Sequence, residues 1–407
     1  MSRANHQGRT ARSMGRIGRI GHIGLIGLTC LISLASCVRE PPLHLYDWDL
    51  PAVEVPIVEL QLDVYWDYEL NLGIDYDWRA EWYYGQNGRW DDEDRRIFGE
   101  LEYKEPTKFF LRRYFTGDNY MGTRYRKDPP EHISTRTFRS KYDWGYWDIL
   151  VWNDIETIDN VQSLHFDEKA SLDEDITAYT NPTMNTVRYH APRYQNSFYE
   201  PEQLFSACER GIEINQNLDG FVFNAEENVW VRKLKMLLEP ITYIYLPQVI
   251  LHHNNGRIMS APGIANLSGM ARTTNINTGV AGTDPIAVNF TMRMKKNLDM
   301  KGETVDIVGG RLMTFGICGL NANRVSRAEE NPDLQHHYLD VQMQFNNGID
   351  STFVFDVTSQ VRKRYKGGVI TVELDVDTVP IPQRPGGSAF NAVVKDYEDG
   401  GTHEFEM

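Results

Sequence analysis

Nine aromatic residues fall between Tyr65 and Trp90, and within that run Trp82, Tyr83, Tyr84 and Trp90 stand closest together. Flat aromatic faces of this kind stack on sugar rings and anchor protein interfaces. Tyr83-Tyr84 beside Gly85-Gln86-Asn87-Gly88 reads as an exposed hairpin tip. These four side chains are therefore the candidate contacts for a glycan or a partner protein. The competing reading is packing, because Trp and Tyr also fill β cores while their polar tips stay wet.

Other residue types that could do chemistry are sparser. His252-His253 and His336-His337 look like ligand pairs, but neighbours on a strand point to opposite faces. One member of each pair is then expected to be exposed while the other packs. Asp91-Asp92-Glu93-Asp94 offers carboxylates for a cation without the spaced grammar that wraps calcium, and reads as a solvated loop. The chain has no G-x-S-x-G elbow, no H-E-x-x-H, no P-loop and no G-x-G-x-x-G after a strand. A non-catalytic protein without cofactor or metal is the expectation.

Cys37 is the residue with the sharpest chemistry. Five arginines and no acid precede an apolar run from Ile23 to Ala35, which stops at Leu34-Ala35-Ser36-Cys37. A positive start, a short apolar stretch and small residues before the cut make a secretory signal peptide. The apolar stretch falls short of the roughly 20 residues a spanning helix needs. Cysteine straight after Leu-Ala-Ser matches a lipobox, whose thiol takes a diacylglycerol before cleavage. Residues 1–36 are then the signal peptide, and Cys37 becomes an acylated, palmitate-bearing N-terminus holding the protein to a membrane.

Removal of residues 1–36 takes away five positive charges, so the formal charge changes from −15 to −15 − 5 = −20. That balance argues against nucleic acid as a partner. Apart from Cys37, only Cys208 and Cys318 follow, too few for a disulfide framework.

The Pro-rich stretch 37–56 reads as a tether. Short strands then recur between turn signals: Ile57–Trp66, Lys108–Phe115, Ile133–Phe138 and Tyr146–Trp152 in the first part, Trp230–Glu239, Ile241–His252, Tyr338–Phe345 and Thr352–Val357 among those of the second. The inward register of Val229–Leu238 slips once, as a bulge would make it. Asn346-Asn347-Gly348 marks a hairpin. Glu202–Glu209 suggests one short helix, and no long helix is predicted. The fold class is all-β, with one β-sandwich over 57–190 and a second over 202–407, split within 181–205.

Several segments resemble the fimbrillin-associated lipoproteins of Bacteroidales-type bacteria, a family partly catalogued as of unknown function. They are the leader His44-Leu45-Tyr46-Asp47-Trp48-Asp49 after the lipobox, the strand from Gly145 to Asn153, Leu238-Glu239-Pro240, Leu267-Ser268-Gly269-Met270-Ala271 and Met313-Thr314-Phe315-Gly316. The resemblance implies two transthyretin-like sandwiches in tandem and a lipoprotein of the outer membrane, exposed at the cell surface. It also implies a role as anchor or accessory subunit of a fimbria, in contact with other subunits. Polymerising relatives are cut after an arginine in the first domain; no arginine here sits in a recognisable cut motif, so the uncut anchor is the closer match. A glycan-binding surface lipoprotein using the exposed aromatics is the alternative.

After Pro380-Ile381-Pro382 the chain carries Arg384-Pro385-Gly386-Gly387 and then alternates at Phe390, Ala392 and Val394. A strand on a hinge can close its own sheet or add to the edge of a partner, with Phe390 and Val394 filling pockets in the second case.

Overall fold

A computed structural model describes residues 56–66, 76–119, 122–155, 163–167, 176–181, 197–262, 264–319, 336–383 and 392–394. β1 (Val58–Trp66) keeps the expected alternation, burying Val58, Leu60, Leu62 and Val64. α1 (Asp92–Phe98) follows, then β2 (Phe109–Asn119), β3 (Gly122–Lys127), β4 (Glu131–Ile133), β5 (Thr137–Lys141) and β6 (Gly145–Asn153). Next come β7 (Leu164–Asp167), β8 (Thr177–Thr180), β9 (Ser197–Tyr199), β10 (Phe205–Ile214), β11 (Val222–Asn224) and β12 (Val229–Pro240). β13 (Tyr243–His252) leads into β14 (Ile258–Ser260), β15 (Ile264–Ala271), β16 (Thr273–Asn275), β17 (Pro285–Thr291) and β18 (Arg293–Met300). Then follow β19 (Glu303–Gly309), β20 (Leu312–Thr314), β21 (Tyr338–Phe345), β22 (Asp350–Asp356), α2 (Thr358–Lys363), β23 (Gly368–Asp375) and β24 (Ala392–Val394).

The strands of the described residues assemble as four sheets. The first runs β3-β2-β6-β10-β12-β1-β5, with β4 on β2 and β11 on β12. The second runs β18-β19-β13-β20, with β23 beside β13. The third runs β24-β22-β21-β15-β17-β9, with β14 on β21, and β16-β8-β7 form a small fourth.

β13 explains how the layers stack. Its sequence is apolar almost throughout, and nine of its ten residues are buried, as in a strand covered on both faces. Ile244, Leu246 and Ile250 enter one core together with Leu60, Leu62, Ile149 and Met236 of the first sheet. Tyr243, Tyr245, Val249 and Leu251 enter the other, with Leu267, Val341 and Phe353 of the third. The second sheet is thus shared between two cores.

Several expectations need correction. Glu202–Glu209 is not a helix: from Phe205 the chain is β10, paired antiparallel with β6. Main-chain pairing along a half-buried face overrides the local helical spacing of Leu204, Phe205 and Cys208. Ile133–Phe138 is the passage between β4 and β5 rather than one strand. The irregular stretch at Val229–Leu238 holds an unbroken parallel register with β1, from Val58↔Trp230 to Trp66↔Leu238, so no bulge interrupts that pair. The sheets also interleave across residues 181–205, because β10 and β12 return to pair with β6 and β1. The Asn347-Gly348 hairpin is present, with Gly348 at φ 76° and the Phe345 N–H donating to the Ile349 carbonyl at 2.9 Å.

Candidate functional site

The four candidate aromatics do not form a surface. Trp82 is 1% exposed, Tyr84 0% and Trp90 9%, and only Tyr83 is half-buried. Their rings pack on one another, Trp82 to Trp90 at 5.4 Å and Trp78 to Trp82 at 5.6 Å between centroids. The expected hairpin tip fails because its polar atoms find partners inside. The Tyr84 N–H donates to Gln248 Oε1 of β13 at 3.0 Å, and Gln248 Nε2 donates to the Glu81 carbonyl at 2.7 Å and to Thr371 Oγ1 at 2.9 Å.

The acidic run is likewise not a solvated loop. Asp91 and Asp94 form a reciprocal capping box that starts α1, and Asp94 is fully buried. Asp94 accepts from Lys295 Nζ at 2.5 Å, from Arg293 at 2.9 Å and from the Tyr84 hydroxyl at 2.7 Å. Burial and the adjacent Asp94 push the Tyr84 phenol far up, so it stays protonated and donates to Asp94. Burial opposes the charged form of Asp91, but Arg293 outweighs it and holds that carboxyl at about 2. Cations of the chain itself neutralise this cluster, which fastens residues 76–103 to the second sheet.

Cys37 and Phe390 lie outside the described residues, and of Val394 only the backbone is described. That backbone is informative. β24 lies parallel to β22, with Phe353↔Ala392, Val354↔Val393 and Phe355↔Val394. Phe353 and Phe355 of β22 point into the core, stacked at 6.2 Å. Residues 376–382 are held by Arg257, which the sequence did not single out, and by Asn347 of the predicted hairpin turn. Arg257 donates to the carbonyls of Val376 at 2.7 Å and Val379 at 2.5 Å, and Asn347 Nδ2 donates to the Pro382 carbonyl at 2.7 Å. Arg257 precedes β14 and Asn347 is in the β21–β22 turn, so both clamps sit on hairpin ends of the third sheet. Only the Asn347-Gly348 turn signal hinted at either position.

The histidine pairs divide as expected. His337 is 2% exposed and burial pushes its imidazole down to about 4, whereas His336 is exposed. His252 is half-buried against Glu303 at 2.9 Å, and His253 is exposed. His253, Asp375 and Asp377 place ligand-type atoms within 4.8 Å of one another. Their hydrogen bonds already account for them: His253 pairs with Asp375 at 3.1 Å, and Asp377 with Arg257 at 3.4 Å. Cys208 and Cys318 are both free, and burial raises both thiols, Cys318 to about 12.

No protein-family model matches this chain, and no curated protein matches it in sequence. Among solved structures it is similar to a candidate adhesin from Bacteroides ovatus, at 17% identity and a TM-score of 0.44, over 81% of this chain and 95% of that one. A candidate polysaccharide-binding protein from Bacteroides thetaiotaomicron aligns at 9% identity and a TM-score of 0.35, over 78% and 91%. The fimbrial anchor protein Mfa2 from Porphyromonas gingivalis aligns at 10% identity and a TM-score of 0.34, over 78% and 90%. Likeness at this level carries no weight for function.

Proposed function

We propose that this chain is a non-catalytic, lipid-anchored outer-membrane protein that serves as anchor or accessory subunit of a surface fimbria. Residues 1–36 export it, acylated Cys37 holds it in the membrane, and 37–56 tether the body. The two cores with their shared sheet are read as two transthyretin-like sandwiches in tandem. The observation that carries the assembly role is the C-terminal edge: β24 meets β22 over only three residue pairs, after a Pro-Gly-rich stretch. A short parallel ladder at a sheet edge exchanges readily with a strand of another subunit. The glycan alternative, as drawn on Trp82, Tyr83, Tyr84 and Trp90, has three of its four aromatic contacts buried.

Two variants test the reading in cells. Cys37→Ala should move the protein from membranes to the soluble fraction. A chain ending at Gln383 should stay in the membrane and lose co-purification of other fimbrial subunits. Membrane retention of Cys37→Ala would sink the anchor, and undiminished co-purification without 384–407 would sink the edge.

A further inference from the structure

We infer that the ends of β2, β6 and β10 form a cleft that binds a neutral glycan, at a place unrelated to the C-terminal edge and to the buried aromatic run. Register builds a row across the first sheet. Tyr125 of β3 opposes Thr116 of β2, Thr116 opposes Tyr146 of β6, and Tyr146 opposes Glu213 of β10. Directly opposed residues share a face, so the row reads aromatic, small, aromatic, acid. Tyr125 is 69% exposed and Tyr146 50%, the reverse of Trp82 and Tyr84. Their strands lie two spacings apart, about 10 Å, which is more than one sugar ring, with only a threonine between them.

Beside this row opens a cleft of about 470 Å³ lined by Thr116, Trp144, Tyr146, Glu213, Asn215 and Gln216. Its size lies within the range of small-ligand sites. Gly117 and Gly145 line it without side chains, and at Gly145 none would fit: a Cβ there would meet the Phe115 ring at 2.5 Å and the Thr116 carbonyl at 2.8 Å. The polar groups are already organised. The Tyr146 hydroxyl donates to Glu213 Oε1 at 3.2 Å, and Asn215 Nδ2 donates to the same oxygen at 2.9 Å. A carboxylate has further lone pairs, which accept from sugar hydroxyls while the rings cover the sugar's apolar face.

Charge selects the class of sugar. The lining holds a glutamate and no lysine or arginine, and the chain carries a formal −15. Uronic or sialic acids are repelled from such a site, and neutral pyranose chains are not.

The full-length chain in detergent would be run on native gels containing yeast mannan, dextran or galactomannan, and on gels containing polygalacturonate. At least one neutral polysaccharide should retard it, and polygalacturonate should not. The Tyr125→Ala/Tyr146→Ala double variant should bind about tenfold more weakly, the loss expected for stacked rings. Tyr65→Ala, which removes an exposed ring on β1, should leave binding unchanged. Glu213→Gln should weaken binding roughly threefold, a second readout should the double variant fail to fold. The inference is overturned if no neutral polysaccharide retards the chain, if polygalacturonate retards it as strongly, or if Tyr65→Ala weakens binding as much as the double variant. It is overturned equally if binding survives in both the double variant and Glu213→Gln.

Discussion

Residues 76–103 and the described C-terminal residues, 376–383 and 392–394, end in opposite situations. The first segment disappears into a core, and the second is laid along an edge. Aromatic content alone does not decide this, since Tyr125 and Tyr146 are as aromatic as Tyr84 and stay outside. What differs is the set of polar partners that waits inside. Tyr84 meets Asp94 and Gln248, and Asp94 meets Lys295 and Arg293. The match is not complete: the indole N–H groups of Trp82 and Trp90 are buried without a partner, at a cost of roughly 1–3 kcal/mol each. Burying each ring against the core returns an amount of the same order, and the ion-paired cluster tips the balance inward. Among its described residues the edge segment has three ladder pairs, three side-chain-to-carbonyl bonds from Arg257 and Asn347, and the Arg257–Asp377 contact at 3.4 Å.

The largest expected effect breaks the first of these regions. Asp94→Ala leaves Lys295, with only 9% of its side chain exposed, and part of Arg293 without their counter-charge. Removing one member of a buried ion pair costs about 3–5 kcal/mol. Denaturant unfolding should show that loss, accompanied by new fluorescence quenching of Trp82 and Trp90 as their segment loosens. A loss below about 1 kcal/mol would mean that the apolar packing of 76–103 suffices without the cluster.

A second buried acid sharpens what the cations contribute. Asp340 of β21 is 1% exposed and faces Asn266 rather than a cation, and burial pushes its carboxyl up to about 7. In the unfolded chain the same group titrates near 3.9. Between those values the folded state holds a proton that the unfolded state has released, so rising pH removes stability from about 4 through 7. Asp340→Asn abolishes that dependence. Its advantage over the natural chain should be small at pH 4 and grow to on the order of 2–4 kcal/mol by pH 8. A difference that stays flat with pH would show that the carboxyl is ionised throughout.

Much of the fold was legible from period and turn chemistry. β1 alternates, β13 is apolar almost throughout and Asn347-Gly348 turns, each for a local reason. The short helix expected at Glu202–Glu209 gives way to strand β10 because pairing with β6 is a long-range fact. The candidate site was less legible for the same reason. Asp94 depends on Lys295, 201 residues further along the chain, and Tyr146 joins Tyr125 only through the register of β2. No local pattern carries either relation.

The smallest expected effect concerns the second region. Ending the chain at Gln383 removes β24, whose parallel ladder covers three residues, while the clamps of Arg257 and Asn347 on Val376, Val379 and Pro382 remain. Each ladder hydrogen bond contributes a net 0.5–1.5 kcal/mol or so. Holding a residue's backbone in one conformation costs about 1–2 kcal/mol. For so short a strand the two nearly cancel, and the truncated chain should unfold within about 1 kcal/mol of the full one. Amide exchange should meanwhile rise along Phe353–Phe355 and stay unchanged across β13. A loss of about 3 kcal/mol or more would place β24 among the strands that hold the third sheet together, and an edge so firmly filled would not exchange with a partner's strand.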